Sequence, residues 1–177
     1  MAALDDIVRV LGISGSLQSG SGNRTLLDRA GEVAPAGVEF RLYEGLAELP
    51  HFNPELEAEG TLAVVDLLRD AVKGSDALLI ASPEYGHSLP GSLKNAIDWL
   101  IGTGELERKI VAVTAAVPHP DRGLRGLAAL IGTLNAVSAV IVGGEPIVRG
   151  DGLDDAVSAL LLDLVRTVNA ARAEERQ

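Results

Sequence analysis

The chain has 177 residues, no cysteine and a formal net charge of −10. This length suits a single domain over residues 1–177, and the lack of cysteine excludes disulfides, thiolate chemistry and iron–sulfur ligation. The acidic charge argues against nucleic acid as a partner, because neutralising phosphates requires a basic patch. The sequence has no secretory signal and no run of 18 apolar residues. We therefore expect a cytoplasmic protein that makes no membrane contact.

Strand and helix patterns alternate through the first half of the chain. Strands are indicated by short apolar runs, and helices by apolar residues that repeat at helical spacing. The third predicted element alternates with period two, as a half-exposed edge strand does. In chain order we predict a strand at Ile7–Ile13, a helix at Asn23–Glu32, a strand at Val38–Tyr43, a long loop at 44–60, a helix at Thr61–Lys73 and a strand at Ala77–Ala81.

The same alternation continues to the carboxyl terminus. Here we predict a helix at Pro90–Ile101, a strand at Ile110–Ala115, a helix at Gly123–Asn135, a strand at Val137–Val142 and a helix at Asp154–Arg172, followed by a frayed tail. The core must be built from Val, Ile, Leu and Ala, because only 3% of the residues are aromatic. These patterns predict an α/β fold, a doubly wound sheet of five parallel strands in the order 2-1-3-4-5 with helices on both faces.

Two unusual loops follow the first and third predicted strands. Residues 14–23 contain four serines, three glycines, including Gly22, and Asn23. Glycines let the backbone approach an anion, hydroxyls bond to phosphate oxygens, and the following helix adds free N–H groups. Asn23 could cap that helix or contact a ligand. The alternative is a flexible Ser/Gly loop in which Asn23 is an ordinary cap.

The second loop, residues 82–88, suits a planar ring. Pro83 and Gly86 fix a backbone that could present polar groups to the edge of an isoalloxazine. Tyr85 could flank the ring or pack in the core or an interface. Glu84 could orient the loop, pair with a neighbouring subunit or be a plain surface carboxylate, and His87 could line an acceptor pocket or face solvent. Both loops lie at the switch point of the predicted sheet, which indicates a mononucleotide such as FMN.

Other chemistry has little support in the sequence. The histidines lack the spacing of a metal site, so we predict no metal. No serine lies in a Gly-x-Ser-x-Gly elbow with a matching His/Asp pair, which argues against a hydrolase.

The two loops resemble those of the NAD(P)H-dependent FMN reductase family, which includes flavodoxin-like quinone, chromate and azo-dye reductases. The family's first loop runs Gly-Ser-Leu-Arg-x-x-Ser-x-Asn, and residues 15–23 match it except that Gln18 replaces Arg. Its second loop runs Pro-Glu-Tyr-Asn-x-Ser-x-Pro-Gly-x-Leu-Lys-Asn-Ala-x-Asp-Trp. Residues 83–99 match this pattern except that Gly86 replaces Asn.

The resemblance implies which residues form the site. It implies that the phosphate is held by Ser16, Gln18, Ser21 and Asn23, and that the ring is bordered by Pro83, Glu84, Tyr85, Gly86 and His87. Residues Ala116–Gly123 would close the other side of the ring, although Pro118-His119-Pro120 differs from the expected glycine-rich sequence. With Gln18 at the arginine position, Arg24 is the only formal cation expected near the phosphate.

The resemblance also implies the activity. FMN would be the cofactor and NADPH or NADH the electron donor, and a quinone, free flavin, dye or metal oxyanion would be the acceptor. The flavin carries such chemistry, so no catalytic acid or base is expected. A homodimer or homotetramer is implied, with the flavin near a subunit interface.

The sequence also agrees with two other functions. The acidic charge agrees with a flavodoxin-type electron carrier, although such proteins usually place the ring between aromatic side chains, and only Tyr85 is available near the loops. A degenerate domain that binds no flavin is the third possibility.

Overall fold

A computed structural model describes residues 7–60 and 62–176 of the chain. The strands are β1 (Val8–Ser14), β2 (Val38–Tyr43), β3 (Ala77–Ala81), β4 (Ile110–Thr114), β5 (Ala116–Val117), β6 (Val140–Gly143) and β7 (Ile147–Val148). The α-helices are α1 (Gly22–Glu32), α2 (Pro54–Ala58), α3 (Ala63–Lys73), α4 (Gly91–Ile101), α5 (Leu124–Ala136) and α6 (Leu153–Glu175). None of the helices described is long and apolar enough to cross a membrane.

Five of the strands form one parallel sheet in the order β2-β1-β3-β4-β6. Numbered among themselves, these strands have the order 2-1-3-4-5, so the predicted topology is confirmed. The half-buried residues of β2 lie at the sheet edge, as their alternation predicts. The remaining strands, β5 and β7, form a separate short parallel pair beyond the end of the sheet.

The core lies in two layers, one on each face of the sheet. On β3, Leu78 and Ile80 pack with buried residues of α3, α4 and α5, whereas Leu79 and Ala81 pack with those of α1 and α6. Successive side chains of a strand point to opposite faces, so every residue of β3 is buried and the strand is continuously apolar. The prediction of helices on both faces is therefore confirmed.

The region predicted as a long loop, residues 44–60, contains two short helices. A 3₁₀ helix covers Gly45–Glu48, and α2 begins at Pro54. The side chain of Asn53 caps α2 by accepting a hydrogen bond from the N–H of Glu55 at 3.0 Å, and proline suits the first helical position. Both helices are too short to show an apolar period. Thr61, the predicted start of the next helix, lies outside the described residues.

Two predicted boundaries near the carboxyl terminus also shift. The last sheet strand begins at Val140 rather than Val137, because α5 continues to Ala136 and Ser138 adopts a left-handed φ of 59° before the strand. The last helix runs to Glu175, so the tail predicted to fray from Arg172 is helical over most of its length; Gln177 lies outside the described residues. The Arg172 side chain anchors this end, since it pairs with Asp76 at 2.8 Å.

Adjacent leucines on α3 offer a matched test of the core. Leu68 is fully buried, whereas Leu67 is 65% exposed. We expect Leu68→Ala to lower the free energy of unfolding by about 3 kcal/mol, because it removes buried methyl groups and leaves a cavity. Leu67→Ala should change it by less than about 0.5 kcal/mol. Urea unfolding followed by circular dichroism measures both values, and equal losses would contradict the packing described for α3.

Candidate functional site

Three loops leave the carboxyl edge of the sheet side by side. Strands β1, β3 and β4 are in register, so that Ser14 is level with Ala81 and Ala81 with Thr114. We call residues 15–21 the first loop, residues 82–90 the second loop and residues 115–123 the third loop; they follow β1, β3 and β4. This edge is the topological switch point of the sheet, where ligands bind in folds of this kind.

The first loop folds on its own hydroxyl groups. Ser14 Oγ donates to the carbonyl oxygen of Ser16 at 3.0 Å, and Ser16 Oγ accepts from the N–H of Gln18 at 3.2 Å. Ser21 is the N-cap of α1, and its Oγ accepts from the N–H of Arg24 at 3.1 Å. These bonds hold the loop in one shape, which differs from the flexible Ser/Gly loop that the sequence also allowed.

Asn23 connects the first loop to the third. Its side chain is buried, at 5% exposure, and its Oδ1 accepts from the N–H of Ala116 at 2.8 Å. Ser21 caps α1, so the interpretation of Asn23 as the cap is wrong. No described residue accepts a hydrogen bond from the Asn23 amide nitrogen, and this side chain lines a cleft between the loops. Contact between Asn23 and a ligand stays a prediction.

The first loop also presents backbone N–H groups that lack acceptors. Within the described parts of the chain, no acceptor meets the N–H of Leu17, Ser19, Gly20, Gly22 or Asn23. The last two belong to the start of α1, where the helix dipole adds partial positive charge. Free N–H groups at a helix start bind phosphate well. The donor set therefore fits the terminal phosphate of FMN.

The second loop is a two-residue hairpin turn. Tyr85 and Ser88 exchange two backbone hydrogen bonds of 3.0 Å. Between them, Gly86 and His87 have φ values of 57° and 62°, the left-handed pair of a type I′ turn. Glycine and asparagine tolerate this region best, so the replacement of asparagine by Gly86 suits this left-handed position. Tyr85 is 56% exposed and is not a core residue.

Glu84 fixes the second loop to the start of α5. Its Oε2 accepts from the N–H groups of Arg125 and Gly126 at 3.0 and 2.9 Å, and its Oε1 lies 3.1 Å from Nδ1 of His87. The hydrogen bond from Gly126, together with those from His87 and Arg125, holds the pKa of the Glu84 carboxyl below its ordinary value. Glu84 therefore orients the loop and is not a plain surface carboxylate.

Two glycines allow these loops to approach one another. A Cβ atom at Gly15 would lie 3.0 Å from Ser82 Oγ, where the first and second loops meet. A Cβ atom at Gly126 would lie 2.9 Å from Cβ of Glu84, where the second loop meets α5. Any larger side chain at either position would separate elements that form the site.

A cleft of about 590 Å³ opens between the loops. Its walls come from the start of α1, the second loop, the third loop and the start of α5. Its polar and charged lining residues are Asn23, Glu84, His87, Asp121, Arg122 and Arg125, and Pro83 also lines it. The volume falls within the range of small-molecule sites.

The cations near the first loop differ from the sequence-based expectation. Nε of Arg24 bonds to Asp28, and both terminal nitrogens bond to Glu44, at 2.8–2.9 Å. The hydrogen bonds from Arg24 to these two carboxylates raise its pKa, so that the guanidinium stays charged, and the carboxylates balance that charge. Arg149 also lies beside the loop, with its Cδ 2.9 Å from the position of a Cβ on Gly22. Arg24 is therefore not the only nearby cation, and that expectation is wrong.

The predicted site residues divide between two depressions. Asn23, Pro83, Glu84 and His87 line the main cleft, whereas Ser16 and Gln18 line a smaller one of about 150 Å³ beside Arg24 and Glu44. Ser21 and Gly22 lie between them at the start of α1, and Tyr85 and Gly86 lie on the second loop at the rim.

Arg149 was missed by the sequence analysis. It follows β7, a strand of two residues that is too short to show a pattern. Its proximity to α1 depends on pairing between β5 and β7, which no sequence motif indicates.

The fold and motifs are similar to those of known flavoenzymes. The family model for NADPH-dependent FMN reductases matches residues 8–152. The chain is 43% identical over 96 residues to an NAD(P)H-dependent FMN reductase of Pseudomonas aeruginosa, which covers 54% of this chain and 51% of that protein. It is 35% identical over 98 residues to a quinone reductase of Escherichia coli, which covers 55% and 52%. The matched part of the chain thus spans about half the length of these curated relatives.

A solved structure is similar to this chain over most of its length. FerB of Paracoccus denitrificans, a flavoenzyme NAD(P)H:(acceptor) oxidoreductase, superposes with a TM-score of 0.80 at 27% identity. The superposition covers 93% of this chain and 98% of that one.

The lowered pKa of Glu84 predicts a pH-dependent effect of Glu84→Gln. A carboxyl whose pKa is lower in the folded state stabilises the fold above its unfolded value, near 4.5, and this stabilisation disappears as the pH falls through the folded value. We expect Glu84→Gln to lower the melting temperature at pH 7, with the gap to the parent closing towards pH 3. Thermal unfolding from pH 7 to 3 measures this.

Glu59→Gln is the matched control, because Glu59 is exposed and its side chain makes no hydrogen bond with the described residues. If the difference in melting temperature between Glu84→Gln and the parent did not change with pH, the charge of Glu84 would not be what stabilises the loop.

Proposed function

The chain belongs to the NADPH-dependent FMN reductase family, and we propose that it is an NAD(P)H-dependent oxidoreductase that binds FMN in a single flavodoxin-like domain. Its second substrate would be a small-molecule electron acceptor: a quinone, free flavin, dye or metal oxyanion. We propose that it acts in the cytoplasm without nucleic acid or membrane partners.

One observation carries this proposal: unpaired N–H donors and an open cleft lie together at the switch point. The start of α1 offers phosphate donors at Gly22 and Asn23, and a cleft of about 590 Å³ lies between the second and third loops. A phosphate site beside a cleft at this edge suits a mononucleotide.

The chain's own groups would position the ligand. Ser16, Gln18, Ser21, Gly22 and Asn23 would hold the phosphate. The hairpin of Pro83, Glu84, Tyr85, Gly86 and His87 would border the ring, with Glu84 keeping the hairpin against α5. When bound, FMN would supply the redox chemistry by taking a hydride from NAD(P)H and returning electrons to the acceptor. No side chain needs to act as a catalytic acid or base.

A flavodoxin-type electron carrier is the alternative, and the net charge of −10 favours it. Against it, Tyr85 is the only aromatic residue in the three loops, so the ring would not lie between two aromatic side chains. NAD(P)H oxidation by the purified protein alone separates the two functions, because a carrier would need a separate reductase.

A homodimer or homotetramer is part of the proposal. Leu17, Tyr85 and Leu124 are each about half exposed and belong to or adjoin the three loops. Exposed apolar side chains around a cleft suit a subunit contact beside the flavin.

We expect the protein to bind FMN more tightly than FAD. The first loop and the start of α1 have donors that suit one terminal phosphate, whereas FAD adds a second phosphate and an adenosine beyond it. Flavin released by heating the purified protein should be FMN by chromatography, and fluorescence titration should give a lower Kd for FMN. Recovery of mainly FAD, or no binding of either flavin, would contradict the assignment.

We also expect ping-pong kinetics with a quinone acceptor. The same cleft adjoins the second loop and the third loop, and we expect donor and acceptor to occupy it in turn. Double-reciprocal plots against NAD(P)H at several fixed quinone concentrations should be parallel. Intersecting lines, together with a trapped ternary complex, would show that donor and acceptor bind at the same time.

A further inference from the structure

The first loop lacks a free cation of its own. Gln18 occupies the position of the arginine in the family pattern, and it is neutral. Arg24 is held by Asp28 and Glu44 through three hydrogen bonds. Moving the Arg24 guanidinium to a phosphate would break these bonds and leave both carboxylates without their partner. A cation that contacts the phosphate would therefore have to come from another part of the chain.

Arg149 lies where it could supply this positive charge. Its backbone N–H donates to the carbonyl oxygen of Val117 at 2.9 Å, which continues the pairing of β5 with β7. Its side chain then crosses the start of α1: a Cβ atom on Gly22 would lie 2.9 Å from Cδ and 3.5 Å from Nη1 of Arg149. A Cβ at position 22 would therefore require the Arg149 side chain to shift from this position.

The Arg149 guanidinium has no acid partner in residues 7–60 and 62–176. No carboxylate oxygen there lies within 4.0 Å of it, in contrast to Arg24 at the same helix start. Its Nη1 lies 3.5 Å from the position of a Cβ on Gly22. At the same helix start, the backbone N–H groups of Gly22 and Asn23 and the amide nitrogen of the buried Asn23 side chain have no acceptor among the described residues. A cation and neutral donors therefore occur together at the start of α1.

We propose that Arg149 binds the 5′-phosphate of FMN and replaces the arginine that is absent at position 18. This inference rests on the proposed function and adds a residue that the family motif does not contain. A guanidinium offers a charge and a planar pair of donors that match phosphate oxygens. Because the chain is strongly acidic, a cation in direct contact matters more than the charge of the whole protein.

The test compares FMN with riboflavin, which has the same ring and no phosphate. Arg149→Gln should weaken FMN binding about three- to tenfold at low salt, the size expected for a partly exposed charge-assisted contact. Riboflavin affinity should stay unchanged. Raising the salt concentration should weaken FMN binding more in the parent than in the variant, because salt screens the Arg149 charge, which the variant does not have. Flavin fluorescence quenching measures each Kd.

Two further variants sharpen the comparison. Arg149→Lys keeps the charge without the planar fork, so its FMN affinity should lie between those of the parent and Arg149→Gln. Arg166→Gln removes an exposed arginine of α6 that pairs with Asp163, and it should leave the FMN affinity unchanged.

The outcomes separate this inference from the proposed function. If the parent binds FMN and Arg149→Gln binds it equally well with the same salt dependence, the role of Arg149 is wrong and the proposed function stands. Equal weakening of FMN and riboflavin would also overturn it, because the loss would then not concern the phosphate. If the parent binds neither flavin, the proposed function itself fails.

Discussion

The site depends on the register of three parallel strands. Ser14, Ala81 and Thr114 lie level across β1, β3 and β4, and each strand ends there in a loop. A shift of one residue would turn every side chain of a strand to the opposite face. The two apolar core layers therefore fix the register, and through it the height at which the three loops emerge. Packing far from the cleft in this way determines which backbone groups meet inside it.

Three contacts of different chemistry then hold the loops together. Close packing at Gly15 joins the first loop to the second, a side-chain amide at Asn23 joins the first to the third, and a carboxylate at Glu84 joins the second to α5. The contacts of Asn23 and Glu84 also satisfy backbone N–H groups of Ala116, Arg125 and Gly126 that would otherwise be left unpaired. The result is a cleft whose walls come from distant parts of the chain and are tied to one another by these contacts.

The sequence predicts this architecture well where patterns are long. The apolar run of β3 and the helical spacing of α4 extend over whole elements, and the strand order follows from the alternation of strands and helices. Short elements gave no such signal: α2 has five residues and β7 has two. The motifs place the loops along the chain correctly, but their bonding pattern depends on tertiary contacts. Ser21 rather than Asn23 caps α1, and the Asn23 side chain instead accepts a hydrogen bond from the N–H of Ala116.

The charged residues at the site were also predictable only in part, because some lie near the first loop in sequence and others reach it through the fold. The loop sequence suggested Arg24 as the nearby cation, but Glu44, twenty residues later, occupies both of its terminal nitrogens. Arg149 lies beside the start of α1, and Arg122 of the third loop and Arg125 of α5 line the cleft; the fold brings all three near the first loop's end of the site. In a chain of net charge −10, these arginines act over a short range, since salt screens exposed charges beyond roughly 8 Å at physiological strength. An anionic ligand would therefore be attracted by this cleft only after it has come near, so that contact geometry rather than long-range steering would select what binds.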